Sequence, residues 1–152
     1  MLKILCVGKI KENFIKDGIQ EYSKRIGSYD KFQIIEVKEF NQKTIQQNMS
    51  DEGKLLLKEI NDSDFVVTLE IKGKQLDSVE LANLITDTFN YKSTSIVFII
   101  GGSNGLSNEV INRSNYHLSF SKLTFPHQLM RLILVEQIYR ALTIINNQEY
   151  HK

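Results

Sequence analysis

The chain has 152 residues, with 19 lysines and arginines against 18 aspartates and glutamates, one cysteine, one proline and no tryptophan. A chain of this length can bury a core of its own, so neither disulfides nor a structural metal is needed for stability. The net charge of +1 argues against a polybasic coat for nucleic acid and against a membrane-surface protein. No DNA or membrane partner is predicted, although a small local basic site remains compatible with this charge.

The lone cysteine, Cys6, lies in an apolar stretch and cannot form an internal disulfide, which predicts a reducing, cytoplasmic compartment. The apolar run Met1–Val7 is too short for a secretory signal peptide and is followed by polar residues. The unbroken apolar run Leu132–Val135 is far too short to span a bilayer. Cysteine and histidine show no zinc-binding spacing, so no metal is expected.

Strand and helix patterns alternate in the first 89 residues. Apolar runs and helical spacing predict a strand at Leu2–Val7, a helix at Glu12–Ile26, a strand at Phe32–Val37, a helix at Asn48–Ile60 capped by Ser50, a strand at Phe65–Ile71 and a helix at Ser78–Phe89. Gly18 lies on the apolar face of the first helix and indicates a close approach to a neighbouring element.

The second half continues the alternation. It predicts a strand at Ser95–Ile100, a short helix at Asn108–Arg113 capped by Ser107, a strand at His117–Ser121 and a long helix at Pro126–Ile145. Because the strands are continuous apolar runs between helices, they are typical of a parallel sheet covered on both faces. The chain therefore predicts one α/β domain spanning residues 1–152.

The last helix is apolar almost all the way round, and one sheet covers only one side of a helix. A homodimer interface would cover the rest. The alternative is a central helix buried within the monomer. The C-terminal tail carries Tyr150 and His151, and it is either frayed or extends to a site, including a site on a partner subunit.

A glycine-rich loop follows the strongest strand, in the segment Ile99–Gly105 (IIGGSNG). Ligands of parallel α/β sheets bind beyond the carboxyl ends of strands, where glycines allow close approach of backbone amides. The motif matches neither the dinucleotide fingerprint nor the P-loop, so nucleotide phosphate binding is poorly supported. A tight structural turn is the alternative.

A second loop, Phe120–Gln128, joins the last strand to the last helix, with Pro126 predicted at the first helical position. Its amides, hydroxyls and apolar side chains would suit the adenine and ribose of S-adenosylmethionine. His127 is a site candidate or a surface or capping histidine. Arg131, one turn on, pairs with a phosphate or forms an ion pair with Glu136 or a partner-chain carboxylate. The sequence contains neither a G-x-S-x-G nucleophile elbow nor a close pair of carboxylates near the glycine loop, which argues against a hydrolase.

Several ordered motifs closely resemble the RlmH family, the ribosomal RNA large subunit methyltransferases H of the SPOUT superfamily, along the whole chain. The motifs are Ile99–Leu106 (IIGGSNGL), Arg113–Tyr116 (RSNY), Leu118–Arg131 (LSFSKLTFPHQLMR), Glu136–Ala141 (EQIYRA) and Tyr150–Lys152 (YHK), with Val7-Gly8-Lys9, Tyr22–Arg25, Thr68-Leu69-Glu70 and Gly73-Lys74.

The resemblance implies a SPOUT-type parallel sheet flanked by helices, with a C-terminal trefoil knot, and a homodimer. It also implies methylation of N3 of pseudouridine 1915 in 23S rRNA, on the assembled ribosome, with S-adenosylmethionine as the donor and no metal. The knot rests on the resemblance alone, because connections in open sheets are otherwise expected to be unknotted.

The resemblance also assigns site residues. The family's donor positions fall on Leu69, Gly101, Phe120, Ser121, Lys122, Leu123, Thr124 and Phe125. Candidates for positioning the base and contacting phosphate are His127, Arg131, Tyr150 and His151, and which of them accepts a proton is left open.

Three rival interpretations remain at this point: a SPOUT methyltransferase that acts on tRNA, a non-catalytic nucleotide-binding module, and a structural dimer whose loops are only turns. The near-neutral charge excludes a tight, nonspecific grip on bare RNA, which needs many phosphate contacts. It favours recognition of RNA in a folded, assembled setting.

Overall fold

A computed structural model describes residues 1–92 and 95–152 of the chain. Within these residues, five strands and five helices alternate in the order β1 (Leu2–Val7), α1 (Asn13–Ile26), β2 (Phe32–Val37), α2 (Ile45–Lys58), β3 (Phe65–Gln75), α3 (Ser78–Lys92), β4 (Ile96–Ile100), α4 (Asn108–Arg113), β5 (Tyr116–Ser119) and α5 (His127–Ile145). The strands form one sheet in the order β2-β1-β4-β3-β5, and every neighbouring pair is parallel. The predicted α/β parallel sheet is confirmed.

Alternate side chains of the strands pack into two cores, one on each face of the sheet. Helices α1, α3 and α5 cover one face, where Phe98 and Leu134 are buried, while α2 and α4 cover the other, around Leu56 and Val110. β4 lies at the centre and is buried along its whole length. This double cover explains the continuous apolar runs of the sequence.

Helix α5 lies between α1 and α3. The predicted close approach at Gly18 is confirmed, because a Cβ there would lie 2.9 Å from the Leu132 side chain of α5. Since neighbouring helices cover its flanks, the apolar composition of α5 does not by itself require a second subunit. The homodimer, the knot and the single-domain assignment of residues 1–152 stay predictions.

Helix α2 begins earlier than predicted, and its cap is Thr44 rather than Ser50. The Thr44 hydroxyl accepts a hydrogen bond from the Gln47 amide at 3.1 Å. Asn48, predicted as the first helical residue, is buried within the helix and its side chain bonds the backbone of Lys43. The polar spacing of this segment concealed its first turn, because its buried face is built from Asn48 and Glu52 as well as leucines.

Other boundaries differ by a few residues at element ends. Pro126 precedes α5 as its N-cap, with extended backbone, and is not its first helical residue. β5 ends at Ser119 and α3 extends to Lys92. Strand β3 continues past the predicted end at Ile71, because β5 pairs with it on both sides of an irregular stretch. No helix within residues 1–92 and 95–152 is both long and apolar enough to cross a membrane.

Candidate functional site

A cavity of about 390 Å3 lies at the carboxyl ends of β4 and β5 and beside the part of β3 that follows its pairing with β4. This position is where parallel α/β sheets bind ligands, and the volume lies within the range of about 300–1,000 Å3 that is usual for small-molecule sites. The glycine loop after β4, the loop after β5 and the first turn of α5 form its walls. We call this space the strand-end cavity.

Most of the residues that the resemblance assigned to the donor line the strand-end cavity. They are Leu69, Gly101, Phe120, Ser121, Leu123, Thr124 and Phe125. Lys122 belongs to the same loop, but it is exposed and does not line the cavity. The structure thus brings three separate segments of the sequence together, while the role of each residue stays a prediction.

The glycine loop is a tight turn as well as a cavity wall. Gly105 donates its amide to the Gly102 carbonyl at 3.1 Å and has a φ of 84°, which favours glycine. A Cβ on Gly101 would lie 2.8 Å from the Gly105 backbone. The loop can therefore be both a tight structural turn and a ligand-binding wall. A larger side chain at position 101 would clash with the turn itself, whether or not a ligand is bound.

The loop after β5 is shaped by serine hydroxyls and leaves apolar groups at the mouth of the cavity. The Leu123 amide donates to Ser121 Oγ at 3.0 Å, and Ser119 Oγ donates to the Ser121 carbonyl at 3.1 Å. Leu123 is 71% exposed, and Ile71 on the β3 side of the cavity is also exposed. Large exposed apolar side chains at a cavity mouth indicate a surface that a ligand covers.

His127 is the one of the four catalytic candidates that lines the strand-end cavity. It is the first residue of α5, and it is half-buried. Within residues 1–92 and 95–152 no hydrogen bond or ion pair engages its ring, so both ring nitrogens are open to a ligand. The alternative of a capping histidine finds no support, because no side-chain cap is made at this helix end.

Arg131 lies elsewhere and is fully buried, with 1% of its surface exposed. Its guanidinium donates to the Glu36 carboxylate at 2.5 Å and to the carbonyls of Val7 and Gly8 at 3.3 and 3.1 Å. Of the alternatives for Arg131, the ion pair with Glu136 is wrong, because that carboxylate pairs with Arg140 at 2.6 Å. These contacts join α5 to the ends of β1 and β2, so Arg131 holds elements together in this structure.

Tyr150 and His151 pack onto α5 of their own chain. The Tyr150 hydroxyl donates to Glu136 at 3.0 Å, its ring contacts Tyr139, and Arg140 lies over it. Burial first, then hydrogen bonds with Tyr22 and Glu136, raises the pKa of Tyr150 well above its ordinary value. The phenol therefore stays protonated at neutral pH and serves as a donor, not as a base.

The His151 ring lies 3.1 Å from Arg140, through Nδ1. Because a guanidinium only donates, this nitrogen accepts, and the proton of a neutral ring resides on Nε2. His151 lines a second cavity, which shares Leu118 and Phe120 with the strand-end cavity. Within one subunit, the four candidates therefore occupy three places rather than one.

Sequence reasoning missed the polar groups on the β3 side of the cavity, Glu70 and Lys72. Glu70 Oε2 accepts from Thr68 Oγ1 at 2.5 Å and also contacts His117 Nδ1. An acidic residue soon after the buried part of a strand, Val66–Thr68, was the available signal, because this edge of a parallel sheet faces ligands. In the described parts of the chain, no group of three or more histidine, cysteine or acidic residues is placed to hold a metal.

Two buried groups outside the cavity, Cys6 and Glu52, also have shifted pKa values. Burial raises the pKa of the Cys6 thiol to about 12. Burial likewise raises the pKa of Glu52, against the opposing effect of a hydrogen bond from the Phe40 amide at 2.9 Å. The second carboxylate oxygen of Glu52 is buried without a hydrogen-bond partner among the described residues.

Comparison with known proteins places this geometry in a family. Residues 1–151 match the family model described as "Predicted SPOUT methyltransferase". A "probable methylase family protein" from Haemophilus influenzae Rd KW20 has a similar fold, with a TM-score of 0.59 and 14% identity over 99% of this chain and 70% of that chain.

A "probable methyltransferase" from Bordetella pertussis Tohama I gives a TM-score of 0.60 and 11% identity, over 93% of each chain. At such low identity both likenesses concern the fold alone. The match to the family model extends over nearly the whole chain, and methyltransferases of that family use S-adenosylmethionine. The chain belongs to the SPOUT methyltransferase family.

Proposed function

We propose that the protein methylates N3 of a pseudouridine in 23S rRNA, as members of the RlmH family do, with S-adenosylmethionine bound in the strand-end cavity. The observation that carries the proposal is the convergence of Leu69, Gly101 and the loop Phe120–Phe125 on one cavity. These positions come from three distant parts of the sequence, and the resemblance assigned them to the donor.

The residues of the cavity fit this donor. Apolar side chains such as Leu106 and Phe125 suit an adenine ring, while Ser121 and Thr124 offer hydroxyls and the loops offer amides. Glu70 and Lys72 place one charge of each sign beside the cavity. Bound there, S-adenosylmethionine would supply an electrophilic methyl group, so the protein's remaining task is to orient the acceptor and remove its proton.

His127 is our candidate for contact with the acceptor base. It lines the cavity, and its ring has no partner within the described residues. A neutral imidazole beside the acceptor could receive the N3 proton or orient the base through a hydrogen bond. The Tyr150 hydroxyl is held by Glu136 and stays protonated, so its proposed role is to position neighbouring groups.

The proposed partners are a second copy of this chain and the ribosome. A net charge of +1 provides few cations for phosphate contacts, which favours an RNA that is already folded and assembled. In a two-fold dimer, Tyr150 and His151 of one subunit would lie near the cavity of the other. That arrangement would reunite candidates that are separated within one subunit.

The test incubates the protein and labelled S-adenosylmethionine with ribosomes from a strain that lacks the modification, followed by mass spectrometry of the rRNA. We expect one methyl group on one pseudouridine. In the matched variant His127→Gln, methylation should fall while donor affinity is retained. Methylation of tRNA instead would identify another SPOUT activity, and absence of label from every RNA would contradict the proposal.

A further inference from the structure

Glu70 occupies a distinctive place at the strand-end cavity. It is the acidic residue among the side chains that line this cavity in the described ranges, and its side chain is 20% exposed. The rest of the lining is largely apolar, apart from Lys72, His127 and a few hydroxyls. A carboxylate in an apolar, partly water-excluded site exerts a stronger field than one at the open surface.

The backbone of β3 brings Glu70 to this position. Leu69 and Lys74 both pair with Leu118 of β5, so the intervening residues leave the ladder. Such irregularities re-aim side chains and are common beside active sites. Gly73 fixes the stretch against β5, since a Cβ there would lie 2.7 Å from the Leu118 backbone. The stretch that carries Glu70 is therefore held in place and not free to swing away.

One oxygen of Glu70 is restrained by its neighbours. Thr68 Oγ1 donates to Oε2 at 2.5 Å, and His117 Nδ1 contacts the same oxygen. Thr68 is buried and lies 2.8 Å from the Ser114 hydroxyl, which fixes it in turn. No hydrogen bond within residues 1–92 and 95–152 engages Oε1, so that oxygen is available to a ligand.

We propose that Glu70 is the counter-charge for the positively charged methionine end of the donor, and that Thr68 and His117 hold its carboxylate for this purpose. The inference rests on the proposed donor site. S-adenosylmethionine carries positive charge at its sulfonium and at its ammonium group. An ordered carboxylate with one free oxygen is the complementary group. Because Thr68 and His117 already hold it in place, little side-chain entropy is lost when the ligand binds.

The test is calorimetric titration of the wild type and of Glu70→Gln with three ligands. S-adenosylmethionine carries both positive groups, S-adenosylhomocysteine lacks the sulfonium, and 5′-methylthioadenosine lacks both. The glutamine still accepts hydrogen bonds from Thr68 and His117, so the variant removes the charge and keeps the fold. Asp87→Asn, an exposed charge on α3 outside the cavity, is the matched control.

We expect Glu70→Gln to lower the affinity for S-adenosylmethionine about tenfold and to leave the affinity for 5′-methylthioadenosine unchanged. The affinity for S-adenosylhomocysteine then shows which positive group Glu70 contacts. In Glu70→Gln this affinity falls if Glu70 pairs with the ammonium, and it is unchanged if Glu70 pairs with the sulfonium. Both results support the proposal. Equal weakening of all three ligands, or of none, overturns it while the donor site stands. A wild type that binds none of them overturns both.

Discussion

Two charged residues near the same edge of the sheet, Arg131 and Glu70, differ in how their polar groups are satisfied. Beyond β1 and β2, the guanidinium of Arg131 is buried against Glu36 and the carbonyls of Val7 and Gly8. On β3, beside the strand-end cavity, Glu70 keeps one carboxylate oxygen free of hydrogen bonds from the described residues. The comparison teaches that burial against an opposite charge distinguishes a structural charged residue, such as Arg131, from one that a ligand can reach, such as Glu70.

This difference predicts that Arg131 contributes to stability. Replacing it in Arg131→Met should lower the free energy of unfolding by about 3 kcal/mol, because Glu36 and two carbonyls lose their donor. Urea denaturation measures the loss. The control Arg140→Met removes a half-exposed arginine from its pair with Glu136 and should cost about 1 kcal/mol or less. Equal stability of Arg131→Met and the wild type would contradict the assignment.

The strand-end cavity should show the opposite response. Leu123→Ser removes an exposed apolar side chain from the mouth, so we expect donor affinity to fall about fivefold while the free energy of unfolding changes by less than about 0.5 kcal/mol. Calorimetric titration with S-adenosylmethionine measures the affinity. Ile45→Ser, similarly exposed but outside the cavity, should leave it unchanged. Equal behaviour of the two variants would speak against this cavity as the donor site.

Two neighbouring acidic residues on α2, Asp51 and Glu52, are expected to change the pH dependence of stability in opposite directions. Burial raises the pKa of Glu52, so the folded chain binds a proton more readily there than the unfolded chain. Ionisation of Glu52 therefore lowers the free energy of unfolding as pH rises above about 4.3, the pKa of a glutamate in the unfolded chain. We expect Glu52→Gln to gain stability relative to the wild type between pH 4 and pH 8.

Asp51 gives the control with the opposite sign. Hydrogen bonds from Gln47 and Lys43 lower the pKa of its carboxyl, so its contribution is present above the unfolded value and lost as pH falls. Asp51→Asn should therefore lose stability relative to the wild type as pH rises towards the unfolded value of about 3.9, and the difference should stay constant above that value. Parallel pH profiles of the two variants in urea denaturation would refute the opposed shifts.

The smallest effect concerns Cys6, which is buried near Arg131 and Glu36. Burial raises the pKa of its thiol to about 12, so little thiolate forms at pH 8. A disulfide reagent should label the native protein only as fast as it opens, and at full rate in denaturant. In Arg131→Met the labelling should accelerate, because that variant loosens the neighbouring contacts. Rapid labelling of the native wild type would show that the region is open.

Sequence patterns predicted local features better than pairings. The strands, the cap at Ser107 and the close approach at Gly18 follow from short-range spacing, and all three are present. Glu36 was not among the partners considered for Arg131, because it lies 95 positions away, on a strand whose place in the sheet no local pattern encodes. Glu70 was missed for a similar reason, since His117 and the irregular pairing with β5 give it its position.

The roles of the donor residues and of the four catalytic candidates came from the resemblance and stay predictions. The fold adds their arrangement: His127 lines the strand-end cavity, Arg131 is buried against Glu36, and Tyr150 lies beside Glu136. Only a structure of the sheet as a whole brings Leu69 and the loop after β5 to one place, because they are some 50 residues apart.

A crystal structure of the protein with S-adenosylmethionine tests the central claim most directly. The account predicts the donor in the strand-end cavity, with contacts to Leu69, to Gly101 and to the loop Phe120–Phe125, and with no ligand against Arg131. A donor bound beyond β1 and β2, in place of the pair between Arg131 and Glu36, would contradict it.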